Sequence, residues 1–113
     1  MRVLVLDDTK NQKDNIKEAF AKKKMDATVC TSSGDFMEAL GAPKFDAVYI
    51  NAAAWSKGRS IYDYFGAGRR LEGKAMVIYN AEEKFQPISN RAPHEQDRLL
   101  RQPSNFETVL EEV

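Results

Sequence analysis

Acidic and amide side chains stand where four of the predicted strands end, and their chemistry matters most to function. They are Asp7 and Asp8 after the first strand, Asn51 after the third, Asn80 after the fourth and Gln102 after the fifth. Two adjacent carboxylates and an oxygen from a neighbouring strand suit a hard cation such as Mg²⁺. Because an amide stands at Asn51 instead of a third carboxylate, one formal charge is missing, and a cation would be held weakly.

A plainer interpretation is that Asp7 and Asp8 only end a strand and begin a helix, where negative charge suits the helix dipole. In that case the pair holds no metal. We therefore expect no tightly bound cofactor, and the two alternatives at this pair are weak Mg²⁺ binding and no metal.

Five short apolar runs predict the strands that would position these residues. Each is an unbroken run rather than an alternating one, which is typical of strands buried on both faces of a parallel sheet. The runs are Arg2–Leu6, residues 27–30, residues 46–50, residues 75–79, and Leu99 with Leu100.

Helical patterns separate most of these runs. One helix extends to about Lys24, with Asp7 to Thr9 available to cap it, and a second begins at Ser32 or Ser33 and ends at Gly41. We predict a loop over residues 51–58, then a helix carrying Ile61, Tyr64 and Phe65, and a last helix after the capping box at Ser104. Pro87 and Pro93 make residues 82–98 irregular. The alternation predicts an α/β, doubly wound (βα)5 fold of the flavodoxin-like kind.

Composition limits the kinds of partner. Residues 1–113 are enough for a single domain, consistent with the N-terminal domain of a longer protein. Lys plus Arg and Asp plus Glu both number 17, so no overall basic charge would attract nucleic acid. No apolar run is long enough to span a membrane. The single cysteine, Cys30, favours a reducing cytoplasmic location.

Four segments, VLVLDD, FDAVYIN, MVIYNAEE and LLRQP, resemble the response-regulator receiver family, and the resemblance covers essentially the whole chain. The family has an acidic pair after strand one, a phosphoryl-accepting Asp after strand three, a Ser or Thr after strand four and a Lys-Pro after strand five. The order and the intervals match. The resemblance implies a CheY-like sheet with strand order 2-1-3-4-5, an irregular fourth helix region, and a role in two-component signalling or a phosphorelay.

The departures from the family pattern all fall on the phosphorylation relay. Asn51 stands at the phosphoacceptor position, where a carboxylate nucleophile is required. Asn80 replaces the hydroxyl that would bond the phosphoryl group, and Gln102 replaces the lysine, although Arg101 could partly substitute. Leu99 stands at the aromatic switch position. The sequence thus predicts a degenerate pseudo-receiver that is not phosphorylated.

Three other residues could suggest chemistry. Trp55 follows three alanines in the predicted loop, where it either folds over the vacated pocket or presents an aromatic anchor to a partner. His94, the only histidine, lies in a polar stretch without an obvious partner and is expected to be a solvent-exposed turn residue. Cys30 lies in a predicted strand and is expected to be a core residue.

The leading hypothesis is a non-enzymatic pseudo-receiver that binds a protein partner, a signalling component, with no nucleic acid or membrane involved. The identity of the partner and the oligomeric state stay open. One alternative is a small flavodoxin-like ligand- or cofactor-binding protein, although Asp7 and Asp8 would repel a phosphate after strand one. Another is a receiver phosphorylated at a non-standard acidic residue, either Asp46 or one of the first pair. Asp46 is expected at the opposite end of the sheet.

Overall fold

The strands form one parallel sheet whose central strands are mainly hydrophobic and buried. The computed structural model describes residues 1–9, 11–40, 45–57, 74–82, 95, 97–101 and 110. The strands are β1 (Arg2–Leu6), β2 (Asp26–Cys30), β3 (Ala47–Asn51), β4 (Ala75–Ala81) and β5 (Arg98–Arg101). Their order is β2-β1-β3-β4-β5 and every pairing is parallel, as the sequence predicts.

Helices cover both faces of this sheet. The described helices are α1 (Lys13–Lys22), α2 (Ser33–Leu40) and α3 (Ala52–Lys57). On one face Ile16 and Phe20 of α1, together with helical Leu110, pack on the alternate residues of β1, β3 and β4 that include Val5. On the other face α2 and α3 pack on the intervening residues. The fold is therefore α/β and doubly wound.

The start of α1 differs from the prediction. The helix begins at Lys13, with Gln12 as its N-cap and no side-chain capping bond, so Asp7 to Thr9 do not cap it. The side chain of Asp7 is committed elsewhere, because its Oδ1 accepts a hydrogen bond from the backbone N–H of Thr9. The second helix starts as predicted, since Ser32 Oγ accepts a hydrogen bond from Asp35 N at 3.2 Å.

The predicted loop after strand three is wrong. Residues 52–57 form α3, which starts at once after β3. Alanine has the highest helix propensity, and the Asn51 side chain caps the first turn by accepting from Ala53 N at 3.0 Å. Ala52 and Ala54 are buried against the core, whereas Ala53 is exposed. The apolar character of this segment thus serves helix packing.

The end of α1 contains a strained lysine. Lys24 has φ of 61°, in the left-handed region that favours glycine. Its N–H donates to Ala21 O at 2.9 Å, and Met25 N donates to Phe20 O at 3.0 Å, the Schellman pattern at a helix end.

We expect Lys24→Gly to raise the free energy of unfolding by about 1 kcal/mol, because glycine adopts this conformation without a Cβ clash. Urea denaturation measures the change. Lys17→Gly is the matched control: Lys17 is exposed in the middle of α1, and the change should be destabilising by about 1 kcal/mol. A Lys24→Gly protein no more stable than the parent would contradict the assignment.

The predictions for the remaining segments concern residues outside the described part of the chain. They concern Gly41, the helix with Ile61, Tyr64 and Phe65, most of the irregular stretch at 82–98 including His94, and the capping box at Ser104. No helix within the described parts is long and apolar enough to cross a membrane.

Candidate functional site

The carboxyl ends of β1, β3 and β4 bring three polar residues into a row. The register pairs Leu6 with Ile50 and Asn51 with Tyr79. Asp7 follows Leu6 and continues the sheet by one residue, since its backbone N–H donates to Cys30 O at 3.0 Å. Asp7, Asn51 and Tyr79 therefore lie side by side on neighbouring strands. We call these three residues the Asp7 corner.

Asp7 is the acceptor at the centre of this corner. Its side chain is only 5% exposed, and both carboxylate oxygens are engaged. Oδ1 accepts from Thr9 N at 2.8 Å. Oδ2 accepts from the Tyr79 hydroxyl at 2.5 Å and from Asn51 Nδ2 at 3.4 Å. A buried carboxylate that is hydrogen-bonded on both oxygens is a structural group, because these bonds offset the cost of removing its charge from water.

Asn51 uses both ends of its amide. Nδ2 donates toward Asp7, and Oδ1 accepts from the backbone N–H of Ala53. Only an oxygen can accept from that N–H, so the N-cap of α3 determines which way the amide points. The residue is 5% exposed. The structure thus brings Asn51 and Asp7 together, with the amide acting as a donor to the carboxylate.

Tyr79 is the residue that sequence reasoning missed. In the sequence it is only the last member of the fourth apolar run, yet its hydroxyl reaches past β3 to the carboxylate of Asp7 at the end of β1. Burial, the negative charge of Asp7, their hydrogen bond and the charge of Asp8 all raise the pKa of Tyr79 above its ordinary value. The phenol therefore stays protonated and donates. The signal in the sequence was a hydroxyl-bearing residue at the end of the fourth apolar run, directly before Asn80.

This raised pKa predicts how stability depends on pH. Below about pH 10 the folded and unfolded chains both keep the Tyr79 proton, so the stabilisation is fully present. Above about pH 10 only the unfolded chain releases it, and the free energy of unfolding should fall by about 1.4 kcal/mol per pH unit from this group. Urea denaturation at a series of alkaline pH values should therefore give a steeper fall for the parent than for Tyr79→Phe. Equal slopes would contradict the buried donor.

Asp8 and Asn80 flank the corner. Asp8 is half-buried, and its charge contributes to the raised pKa of Tyr79. Asn80 lies within β4, which runs two residues further than predicted, and it has φ of 58° at an irregularity in the pairing of β4 with β5. Asparagine tolerates this left-handed conformation better than most residues. Asn80 is therefore at the predicted sheet end, but Tyr79 makes the bond to Asp7.

The other predicted site residues are Leu99 and Arg101 on β5, Trp55 on α3, and Gln102. Leu99, at the aromatic switch position, is half-buried and packs on the core under α2 and α3. Arg101 Nη1 donates to Glu82 O at 2.5 Å. Gln102 and the side chain of Trp55 lie outside the described part of the chain, so the predictions for both stay predictions.

Two further acidic and thiol groups are placed away from the corner. Asp46 lies at the amino end of β3, where its Oδ2 accepts from Arg2 N at 3.0 Å. Cys30 is a free, buried core residue. Burial raises the pKa of its thiol, the charge of Asp35 raises it further, and Lys13 acts in the opposite direction. Neither group is arranged for nucleophilic chemistry.

Comparison with solved structures supports the fold. The chain is similar to a CheY-like response regulator receiver domain protein from Methanospirillum hungatei JF-1, with a TM-score of 0.64 and 19% identity over 98% of this chain and 89% of that one. It is also similar to a CheY-like receiver domain from Methylobacillus flagellatus, with a TM-score of 0.63 and 18% identity over 99% and 97% of the two chains. It is similar as well to a two-component response regulator from Clostridium difficile, with a TM-score of 0.62 and 12% identity over 99% of this chain and 91% of that one.

No protein-family model matches the chain, and no curated protein matches it significantly. At identities below one fifth, the likeness to solved structures establishes the CheY-like fold, with its five-stranded parallel sheet in the predicted order.

Proposed function

We propose that the chain is a receiver-like domain that does not accept a phosphoryl group and that acts in signalling by binding another protein. The observation that carries the proposal is the state of Asn51 at the end of β3. Its amide has no negative charge, its oxygen caps α3, and its nitrogen donates to Asp7. A group in this state is not a nucleophile toward phosphorus.

The neighbouring carboxylates do not readily take over that role. Asp7 is buried, and both its oxygens accept hydrogen bonds within the protein, which lowers their availability for attack on a phosphoryl donor. Asp46 lies at the opposite end of the sheet and bonds the backbone of β1. These placements count against phosphorylation at Asp7 or Asp46, two of the non-standard acidic residues that the sequence left open.

The proposed role in protein interaction rests on the CheY-like fold and on the absence of a phosphoacceptor carboxylate at position 51. The structurally similar proteins are described as response regulators, and a receiver surface can be retained when the phosphoryl switch is lost. Such a surface would act in one fixed state, or would be shifted by a partner that prefers one conformation. Trp55 on α3 is our candidate aromatic anchor. The free, buried Cys30 suits the reducing cytoplasm, where we place the protein.

Intact-mass measurement after incubation with acetyl phosphate and Mg²⁺ tests the proposal. We expect no phosphoryl adduct on the parent protein, because no free carboxylate stands at position 51. The matched comparison is Asn51→Asp, which restores a carboxylate at the end of β3 and changes no other residue. A stable adduct on the parent, mapped by peptide analysis to any aspartate, would overturn the proposal.

A further inference from the structure

The Asp7 corner is already filled by hydrogen-bond donors. Three N–H or O–H groups, from Thr9, Asn51 and Tyr79, converge on the two oxygens of one carboxylate. The Tyr79 bond, at 2.5 Å, is as short as a charge-assisted O–H···O bond becomes. A cation at Asp7 would compete with these donors for the same oxygen lone pairs.

Asn51 also presents the wrong atom to a cation. Mg²⁺ takes oxygen ligands, but the amide nitrogen is the end that faces Asp7. The amide oxygen accepts from Ala53 N at 3.0 Å. Rotating the amide to offer its oxygen would set the Nδ2 group against the Ala53 N–H, leaving two donors facing each other and α3 without its cap.

The carboxylates near the Asp7 corner carry too little negative charge to make up for the missing carboxylate at position 51. Within the described residues, no group of three or more His, Cys, Asp and Glu side chains comes together. Asp8 is the one other carboxylate beside the corner that the structure describes, and it is half-buried. Mg²⁺ gives up its bound water reluctantly, so two carboxylates, one of them already bonded on both oxygens, form a poor site. The residues present do not fit the ion.

We propose that the Tyr79 hydroxyl and the Asn51 amide take the place of a divalent cation in this corner, so that the protein is closed to Mg²⁺. The phenol supplies the stabilisation of the Asp7 carboxylate that a metal would otherwise supply. Two side chains, Asn51 on β3 and Tyr79 on β4, thus exclude Mg²⁺ from the corner, and substituting both should let the ion bind.

Calorimetric titration with MgCl₂, repeated with MnCl₂, tests this closure on the folded chain. We expect the parent to bind with a Kd weaker than about 10 mM. The double variant Tyr79→Phe/Asn51→Asp removes both donors to Oδ2 of Asp7 and restores a third carboxylate. We expect it to bind at least tenfold more tightly than the parent, with a Kd of about 1 mM or below.

The matched control is Tyr49→Phe/Asn51→Asp. Tyr49 is also buried, also on the α1 face of the sheet, and its hydroxyl makes no hydrogen bond among the described residues. This control has the same added charge but keeps the hydrogen bond from Tyr79 to Asp7. Its affinity for Mg²⁺ should therefore be several-fold weaker than that of Tyr79→Phe/Asn51→Asp. Equal affinities in the two proteins would overturn the role of Tyr79.

A second measurement needs no variant, in case the double substitution does not fold. The urea midpoint of the parent is measured with and without millimolar Mg²⁺, since an ion that binds only the folded state raises it. An unchanged midpoint supports closure, and a clear rise overturns it. That rise would leave the proposed function intact, because the missing nucleophile at Asn51 does not depend on whether a metal is bound.

Discussion

Asp7→Asn is expected to lower the free energy of unfolding by about 3 kcal/mol, the largest effect of any isosteric change that we predict. The new amide has one oxygen, which can accept from Tyr79 and Asn51 but only as a neutral group. Hydrogen bonds to a neutral acceptor are about half as strong as those to a carboxylate. Its nitrogen would face the Thr9 N–H, which is left without an acceptor at a further cost of about 1–3 kcal/mol.

Urea denaturation monitored by circular dichroism gives this value. Asp14→Asn is the control, because Asp14 is exposed in the first turn of α1 and its loss should cost less than about 1 kcal/mol. If Asp7→Asn cost no more than Asp14→Asn, the carboxylate would not be the buried acceptor described here.

Tyr79→Phe is expected to lower the free energy of unfolding by about 2 kcal/mol, since it removes one hydrogen bond to a charged group and almost no volume. The aromatic ring stays on the α1 face of the sheet, so hydrophobic burial is retained. The stability should fall because Oδ2 of Asp7 would keep only the longer hydrogen bond from Asn51, at 3.4 Å.

Tyr49→Phe is a closely matched control for this prediction. Both tyrosines are 2% exposed, and burial raises the pKa of each. The Tyr49 ring packs edge-on against Phe20, with centroids 4.8 Å apart, and its hydroxyl has no hydrogen-bond partner within the described chain. Losing that hydroxyl should be neutral or stabilising by up to about 1 kcal/mol.

A double-mutant cycle isolates the bond itself. If Tyr79 and Asp7 interact directly, the cost of Tyr79→Phe should shrink by about 1–2 kcal/mol in the Asp7→Asn background. Additive costs would show that each residue acts through other neighbours, and similar costs for Tyr79→Phe and Tyr49→Phe would show that the lost bond is unimportant.

The sheet could be predicted from the sequence because each strand is a short apolar run. Arg2–Leu6 was predicted with its observed bounds, β3 is shifted by one residue from its run, and β2, β4 and β5 are one or two residues longer than theirs. Most of the residues gained at the strand ends are polar, Asn51 and Arg98 among them, and periodicity alone cannot tell whether a polar residue at a strand end keeps its sheet pairing. Strand order came from the family resemblance, and the sheet confirms it.

A loop is predicted from the sequence where the helix at residues 52–57 stands, although three successive alanines favour a helix. The cap that starts it is the side chain of Asn51, which had been considered only as a lost phosphoacceptor.

The candidate site was only partly predictable for a different reason. Asp7 and Asn51 stand directly after apolar runs, so their meeting at one sheet edge follows from the parallel topology. Tyr79 belongs to an apolar run, and aromatic residues in such runs are usually core. Its bond to Asp7 spans 72 positions in the chain and depends on the register of three strands, which a single sequence does not reveal.

The central claim is that the Asp7 corner is closed by its own hydrogen bonds and receives neither cation nor phosphoryl group. The most direct test is a ¹⁵N–¹H NMR titration of the parent protein, first with Mg²⁺ and then with acetyl phosphate. We predict that the backbone amides of Thr9 and Ala53, which bond Asp7 and Asn51, keep their chemical shifts throughout. Progressive, saturable shifts of these two amides on adding either reagent would contradict the account.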